Sequence, residues 1–294
     1  MSGSRLPEDD HGFLPRKVAD MLQSDPRVHA ALTRLSTLVR TTGLSPRVID
    51  RVMAPGNDVS AEVLALVSRG LCDEAPANFK SLREALNSDR HKVVCRACLF
   101  AAWTDFVVLS AGKSGVSSSK IVATSLATAE TAYWLAGRHV IEPEDAFRAA
   151  VLVDAGLVAM VYVLPEVYSS IASSKLALPL QEFEMASFGF DHQAVGEAAL
   201  RLYKFPDEVA GFAHNHHAPS IEQDLAGKVL KAATVAVGAV GGDFGFSGPP
   251  VELDRQTLEG ALIRPADGPG VLEYASGRLS AALDFTQRRR SSAA

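Results

Sequence analysis

The sequence predicts an all-α protein, on two observations. Alanine, leucine and charged residues recur at helical spacing almost throughout the 294 residues, and neither period-two strands nor Asn-Gly hairpin turns occur. The helix starts follow in order. Ser24-Asp25-Pro26 opens one helix, Ser45-Pro46 a second, Asp58-Val59-Ser60-Ala61-Glu62 a third and Glu142-Pro143-Glu144-Asp145 a fourth. Each brings a capping side chain, a proline in the first turn or acids where the macrodipole favours them. Ala54-Pro55-Gly56-Asn57 and Asp73-Glu74-Ala75-Pro76 interrupt the helical pattern, and the stretch from Ala111 to Ser119 does so most strongly. A second loop runs from Gly241-Gly242 to Gly248-Pro249-Pro250, followed by a short helical segment near Gly270 to Gln287.

These breaks divide the chain into a helical extension (1–43), an N-terminal helical subdomain (44–112), a central helical core (113–245) and a C-terminal loop, helix and basic tail (246–294). With 47% hydrophobic and 21% charged residues, the chain is long enough to bury one large core or two smaller ones. A net charge of −5 gives no electrostatic footprint for nucleic acid or an anionic membrane, and Arg288-Arg289-Arg290 reads as a solvated tail. Three cysteines are too few for a disulfide framework, which implies a reducing compartment. The first ten residues lack an apolar core, and the longest apolar run, around Ala155 to Leu164, is shorter than the roughly 20 residues a bilayer span requires. A cytoplasmic location is the expectation.

Asp154 is the most informative residue. It is expected inside a helix of almost wholly apolar residues, Val151-Leu152-Val153-Asp154-Ala155-Gly156, and a buried carboxylate is costly unless paired, hydrogen-bonded or bound to a cation. The candidate partners downstream are His192, His216 and His217. Adjacent helical residues point about 100° apart, so one of His216 and His217 is expected to be a bystander, and His214 and His216 would converge only if the chain leaves helix there, as Ala218-Pro219 would allow. Other motifs carry less. Cys95-Arg96-Ala97-Cys98 lacks a second pair and reads as two buried helix cysteines. Gly112-Lys113-Ser114-Gly115 lacks the glycine spacing of a phosphate loop and reads as a linker.

Several local patterns coincide in one order: Leu44-Ser45-Pro46; Asn57 to Arg69; Ser81-Leu82-Arg83-Glu84-Ala85-Leu86; Pro143-Glu144-Asp145-Ala146-Phe147; Leu164-Pro165-Glu166-Val167-Tyr168; Glu184 to Gly189 leading into Asp191-His192-Gln193; Phe205-Pro206-Asp207-Glu208-Val209; and His216-His217-Ala218-Pro219. Over roughly residues 44–245 the chain resembles the HDOD family, a regulatory relative of HD-type metal-dependent phosphohydrolases. The resemblance implies an N-terminal helical subdomain packed on a degenerate HD-like core. About one helix of the family's N-terminal half is absent between Arg69 and Phe79, and Asp25-Pro26-Arg27-Val28 looks like its signature displaced. By the same resemblance, the histidine of the His-Asp pair is Val153 here and its aspartate is Asp154. The upstream histidine would fall near Ser117 to Ser119, and the late aspartate falls at about Thr234. Asp154, His192, His216 and His217 survive as metal candidates, too few for a two-metal clamp.

The expectation is therefore a non-catalytic signalling module with no catalytic residue and no required cofactor. It works through an unidentified protein partner, its former metal pocket serving as a polar plug or a small-ligand sensor. A single divalent metal on Asp154, His192 and one of the histidine pair is the variant of this reading. The alternatives are a metal-dependent phosphohydrolase acting on a nucleotide, with Asp191, Glu197 or His214 as substitute ligands, and a nucleotide receptor that does not hydrolyse. No receiver, cyclase or DNA-binding segment is evident, so the signal is expected to pass through another chain.

Overall fold

The computed structural model describes residues 13–40, 46–53, 57–72, 75–174, 176–219, 223–246 and 248–293. The predicted breaks at Ala54-Pro55-Gly56 and Asp73-Glu74, the cap Ser45 and the first ten residues lie outside these. Among the described residues all regular structure is helical. The chain runs α1 (Phe13–Ser24), α2 (Pro26–Arg40), α3 (Pro46–Met53), α4 (Asn57–Ser68), α5 (Leu82–Leu86), α6 (His91–Ala111), α7 (Ser118–Ala136) and α8 (Pro143–Leu152). It continues through α9 (Ala155–Val163), α10 (Pro165–Ala172), α11 (Leu180–Phe188), α12 (His192–Leu202), α13 (Asp207–Asn215), α14 (Leu225–Ala239), α15 (Arg255–Gly260) and α16 (Gly268–Ala293).

Predicted starts and stops fall where their chemistry places them. Pro26, Pro46 and Pro143 are the first residues of α2, α3 and α8, where a missing N–H costs nothing. The strongest predicted break is the turn between α6 and α7, and Ser117 ends it by accepting the N–H of Lys120 on its side chain. The C-terminal helix begins two residues earlier and runs six residues further than the segment read from sequence.

The core centres on α6 and α7. Val94, Ala97, Cys98, Phe100, Ala101, Ala102 and Trp103 of α6 are wholly buried, so this helix has no solvent face over most of its length. On α7, Ala123, Ala127, Ala129, Ala132 and Ala136 are equally buried, and such small side chains let α8, α14 and α16 approach closely. Two stretches, His91–Ala111 and Pro143–Val163, are long and apolar enough to cross a membrane by length and composition, which corrects the expectation that the longest apolar run is too short. In each, 78% of the apolar window is buried inside the fold, as a core helix requires.

The N-terminal segment closes over the central core. α1 lies against α12 and α9, and α2 lies against α6. Ser36 donates to the carbonyl of Tyr203 at 2.6 Å, and Arg34 pairs with Asp105 at 3.0 Å.

The break between α8 and α9 overturns the expected helical placement of Asp154. Asp154 is not inside a helix: α8 ends at Leu152 and α9 begins at Ala155, with Asp154 between them at φ −99° and ψ 24°. Its side chain does not cap α9. The break turns the carboxylate toward α12 and the end of α13, the elements that carry the histidines.

Candidate metal centre

Each ligand candidate is placed by a local device. α11 ends at Gly189, whose left-handed conformation at φ 77° reverses the chain so that α12 starts beside it. Asp191 caps α12 by accepting the N–H of Ala194 at 3.1 Å, leaving His192 as the first helical residue with its backbone N–H unpaired in the helix. Glu184 takes that N–H at 2.9 Å, and the same carboxylate oxygen accepts from His192 Nδ1 at 2.6 Å. Tyr168 donates its hydroxyl to the other oxygen at 2.5 Å. Glu184 is fully buried, and burial together with the Glu184 charge holds the Tyr168 phenol well above its usual range.

His216 caps the end of α13, and His217 lies beyond it in a turn. The expectation that one of the pair is a bystander fails for that reason: the chain has left the helix, so the 100° rule no longer applies. The turn is held from both sides. Gln193 accepts the N–H of His217 at 3.1 Å, and the carbonyl of Ala218 accepts from Lys231 at 2.5 Å and Gln223 at 2.9 Å.

Three imidazole nitrogens converge, with a carboxylate oxygen beside two of them. Nε2 of His192 lies 3.3 Å from Nε2 of His216 and 3.1 Å from Nε2 of His217. Oδ1 of Asp154 lies 3.4 Å from Nε2 of His216 and 3.8 Å from Nε2 of His192. The hydrogen bonds on the far side of two rings assign their tautomers. Glu184 and the Ala213 carbonyl, 2.8 Å from Nδ1 of His216, accept, so Nδ1 carries a proton in both rings and each Nε2 faces inward, a donor when the ring is charged and a lone pair when it is neutral. Two Nε2 atoms and a carboxylate thus face one point inside the protein, where the carboxylate is balanced by protonated imidazole or by a bound cation. Oδ2 of Asp154 is buried without a hydrogen-bond partner, a further sign that the protein alone does not satisfy this centre.

The protonation pattern follows. Burial opposes the charge on Asp154, but the hydrogen bond from His216 and the charges of His216 and His192 outweigh it and hold the carboxyl below its usual value. Burial also opposes the charge on His192, yet Glu184 first and Asp154 second push its pKa up. His217 is held well below its ordinary value by burial and then by the neighbouring imidazoles and Lys231.

The residues fit a metal ion. Tetrahedral coordination with metal–nitrogen bonds of about 2.0–2.1 Å puts ligand atoms about 3.3–3.4 Å apart, and the spacings here scatter from 3.1 to 3.8 Å around that value. Second partners to carboxylate and to backbone carbonyl are the arrangement that orients metal-binding imidazoles.

The other proposed ligands do not join the cluster. His214 points away, 2.9 Å from Glu197, and is half exposed. Asp191 is a helix cap, and Thr234 donates to Leu230 within α14. Val153, at the missing histidine position, is buried among apolar neighbours. Glu184, Tyr168 and Gln193 were not identified as site residues from sequence. A glutamate among Leu180, Phe183, Met185 and Phe188 was the one available signal.

The structure is a helical domain built around a largely buried cluster of three imidazoles and a carboxylate. The family model for the HDOD domain matches residues 25–219, beginning at the Asp25-Pro26 signature, so the chain belongs to the HDOD family. Three solved structures share the fold. One from Shewanella amazonensis, described as a "putative phosphohydrolase", has a TM-score of 0.67 at 16% identity, covering 92% of this chain and 97% of the other. An HDOD domain protein of unknown function from Geobacter sulfurreducens has a TM-score of 0.65 at 19% identity, over 94% and 95% of the two chains. A "putative signal transduction protein" from Marinobacter aquaeolei has a TM-score of 0.68 at 14% identity, over 95% of this chain and 65% of the other. No curated protein matches this sequence.

Proposed function

We propose that this HDOD protein is a non-catalytic signal-transduction module whose output is contact with another protein, and that its buried centre is a closed site for one divalent transition-metal ion. The carrying observation is the convergence of the Nε2 atoms of His192, His216 and His217, with Asp154 Oδ1 beside the first two. When bound, such an ion would supply the positive charge that the inward lone pairs and the carboxylate require. Three imidazoles and the adjoining Asp154 carboxylate, once drawn onto an ion, would fill a tetrahedral site and leave no position for an activated water, which is how structural sites differ from catalytic ones. The contribution of the chain is to hold the two oriented imidazoles, keep Asp154 ionised and exclude solvent. Occupancy would lock α9, α12 and α13 together, and that is the state a partner would read.

A hydrolase acting on a nucleotide is the second reading, favoured by a groove of about 370 Å³ that reaches His216 and is bordered by Glu208, Phe212, Asn215 and Leu230. Metal analysis of protein purified without chelator, followed by a phosphodiesterase assay with manganese, separates the two. The first reading expects up to one ion per chain and no turnover. Turnover that disappears in Asp154→Asn would overturn it in favour of the second.

A further inference from the structure

A second site lies away from the histidines, where α16 crosses α7 and α8. A cavity of about 290 Å³ opens there, close to the lower end of the range for small-molecule pockets, about 300–1,000 Å³. Its lining concentrates residues that are scarce elsewhere. The chain has two tryptophans and five tyrosines, and Trp134, Tyr133 and Tyr274 are all here. Trp134 and Tyr274 stack with ring centres 4.6 Å apart and planes 13° from parallel. Arg138, exposed at the mouth, lays its guanidinium over Trp134 at 3.4 Å, and Arg96 lies over Tyr133 at 4.2 Å.

The charges do not cancel. Arg278 is bound through two nitrogens to the buried Glu130, and Arg96 is paired with Glu144. Arg138 makes its hydrogen bond to the Trp134 carbonyl and meets no carboxylate among the described residues. Three guanidiniums against two carboxylates leave a single surplus positive charge beside a flat aromatic wall.

We propose that this cavity binds a small planar aromatic carboxylate, its ring against the aromatic wall and its anion on the guanidinium side near Arg138. A monoanion matches the single surplus charge, and the planar guanidinium fork suits a carboxylate. Tyr274 and Arg278 belong to α16, beyond the matched family segment, so the site depends on the C-terminal helix and is independent of the metal centre.

Trp103 is fully buried in the core, so Trp103→Phe leaves Trp134 as the fluorescent reporter of the cavity. Titration of this variant with benzoate and 4-hydroxybenzoate is expected to change Trp134 emission saturably, with benzamide at least about tenfold weaker because the charge-assisted hydrogen bond is lost. Gly137 lines the cavity in right-handed backbone, and a β-carbon there meets its nearest atoms at 3.6 to 3.9 Å, an ordinary contact, so Gly137→Leu adds bulk at the cavity without backbone strain. Gly137→Leu should abolish binding and Arg138→Gln should weaken it about tenfold, both with an unchanged helical circular dichroism spectrum. Absence of a saturable response to either carboxylate, equal binding of benzamide, or undiminished binding in Gly137→Leu would overturn the proposal. A response confined to adenosine monophosphate would overturn the carboxylate assignment.

Discussion

Gly156 approaches α12 so closely that a β-carbon on it would stand 1.8 Å from the carbonyl oxygen of His192 and 2.4 Å from the amide nitrogen of Gly196. This contact between α9 and α12 is what sets His192 above Asp154, two residues before Gly156.

Gly156→Ala should therefore force the two helices apart. Overpacking of a close contact costs about 1–3 kcal/mol, and here the opposing atoms are backbone and cannot step aside. Gly196→Ala is the control, because its β-carbon would meet Gly156 at 3.2 Å, a contact that a small shift relieves. Urea denaturation should show the larger loss in Gly156→Ala, accompanied by weakened zinc binding. Equal losses would mean that the helix contact does not govern the site.

Asp154→Ala and Asp154→Asn distinguish a paired carboxylate from a merely buried one. Alanine abandons two buried histidines and should cost roughly 3–5 kcal/mol. Asparagine keeps the shape and one acceptor, so it should cost less in the metal-free protein. Chemical denaturation of both variants after chelation is the measurement, and negligible effects from both would contradict the burial and pairing described for Asp154.

Without metal, stability should depend on pH through His192. Its folded pKa is raised above 6.5, chiefly by Glu184, so the folded state holds its proton more tightly than the unfolded chain does. The stabilisation is fully present below about pH 6.5 and is lost as pH rises through the folded value. The urea midpoint of chelated protein should fall as pH rises above about 6.5, and Glu184→Gln should flatten that slope by removing the carboxylate charge. Metal binding runs the other way, because the ion displaces the His192 proton; zinc affinity should rise over the same interval.

The sequence made the helices legible because their ends are chemically local. Pro26, Pro46, Pro143 and the Ala111–Ser119 break act within a turn, whatever the rest of the chain does. It also made the four ligand candidates legible, since a lone aspartate among apolar residues demands partners. Three things were not legible for a common reason. That His217 joins the cluster depends on α13 stopping at Asn215, that Asp154 lies between helices depends on how α8 and α9 pack, and Glu184 becomes a site residue only because Gly189 reverses the chain. Each is a consequence of tertiary geometry, and side chains such as Glu182 and Glu184 look alike until burial separates them.

α16 is joined to the core by the ion pair of Arg278 with Glu130. Glu130 on α7 is buried and accepts the N–H of Cys72 at one oxygen, while Arg278 on α16 pairs with both of its oxygens and also donates to the carbonyl of Gly70. Burial pushes the Glu130 pKa up, and the contacts with Arg278 oppose that, so the arginine is what keeps an ionised carboxylate tolerable there. Arg278→Met removes one partner and leaves the other charge in the core, which costs about 3–5 kcal/mol. Because the abandoned carboxylate can take up a proton, the loss should shrink as pH falls toward 4.5, where Glu130 becomes neutral more readily in the fold than in the unfolded chain. The double variant Arg278→Met with Glu130→Gln should recover most of the stability at neutral pH, since the charge is then gone. Urea denaturation of wild type and both variants at pH 5 and pH 7.5 measures this; a double variant no more stable than Arg278→Met would show that α16 is held by its apolar face alone.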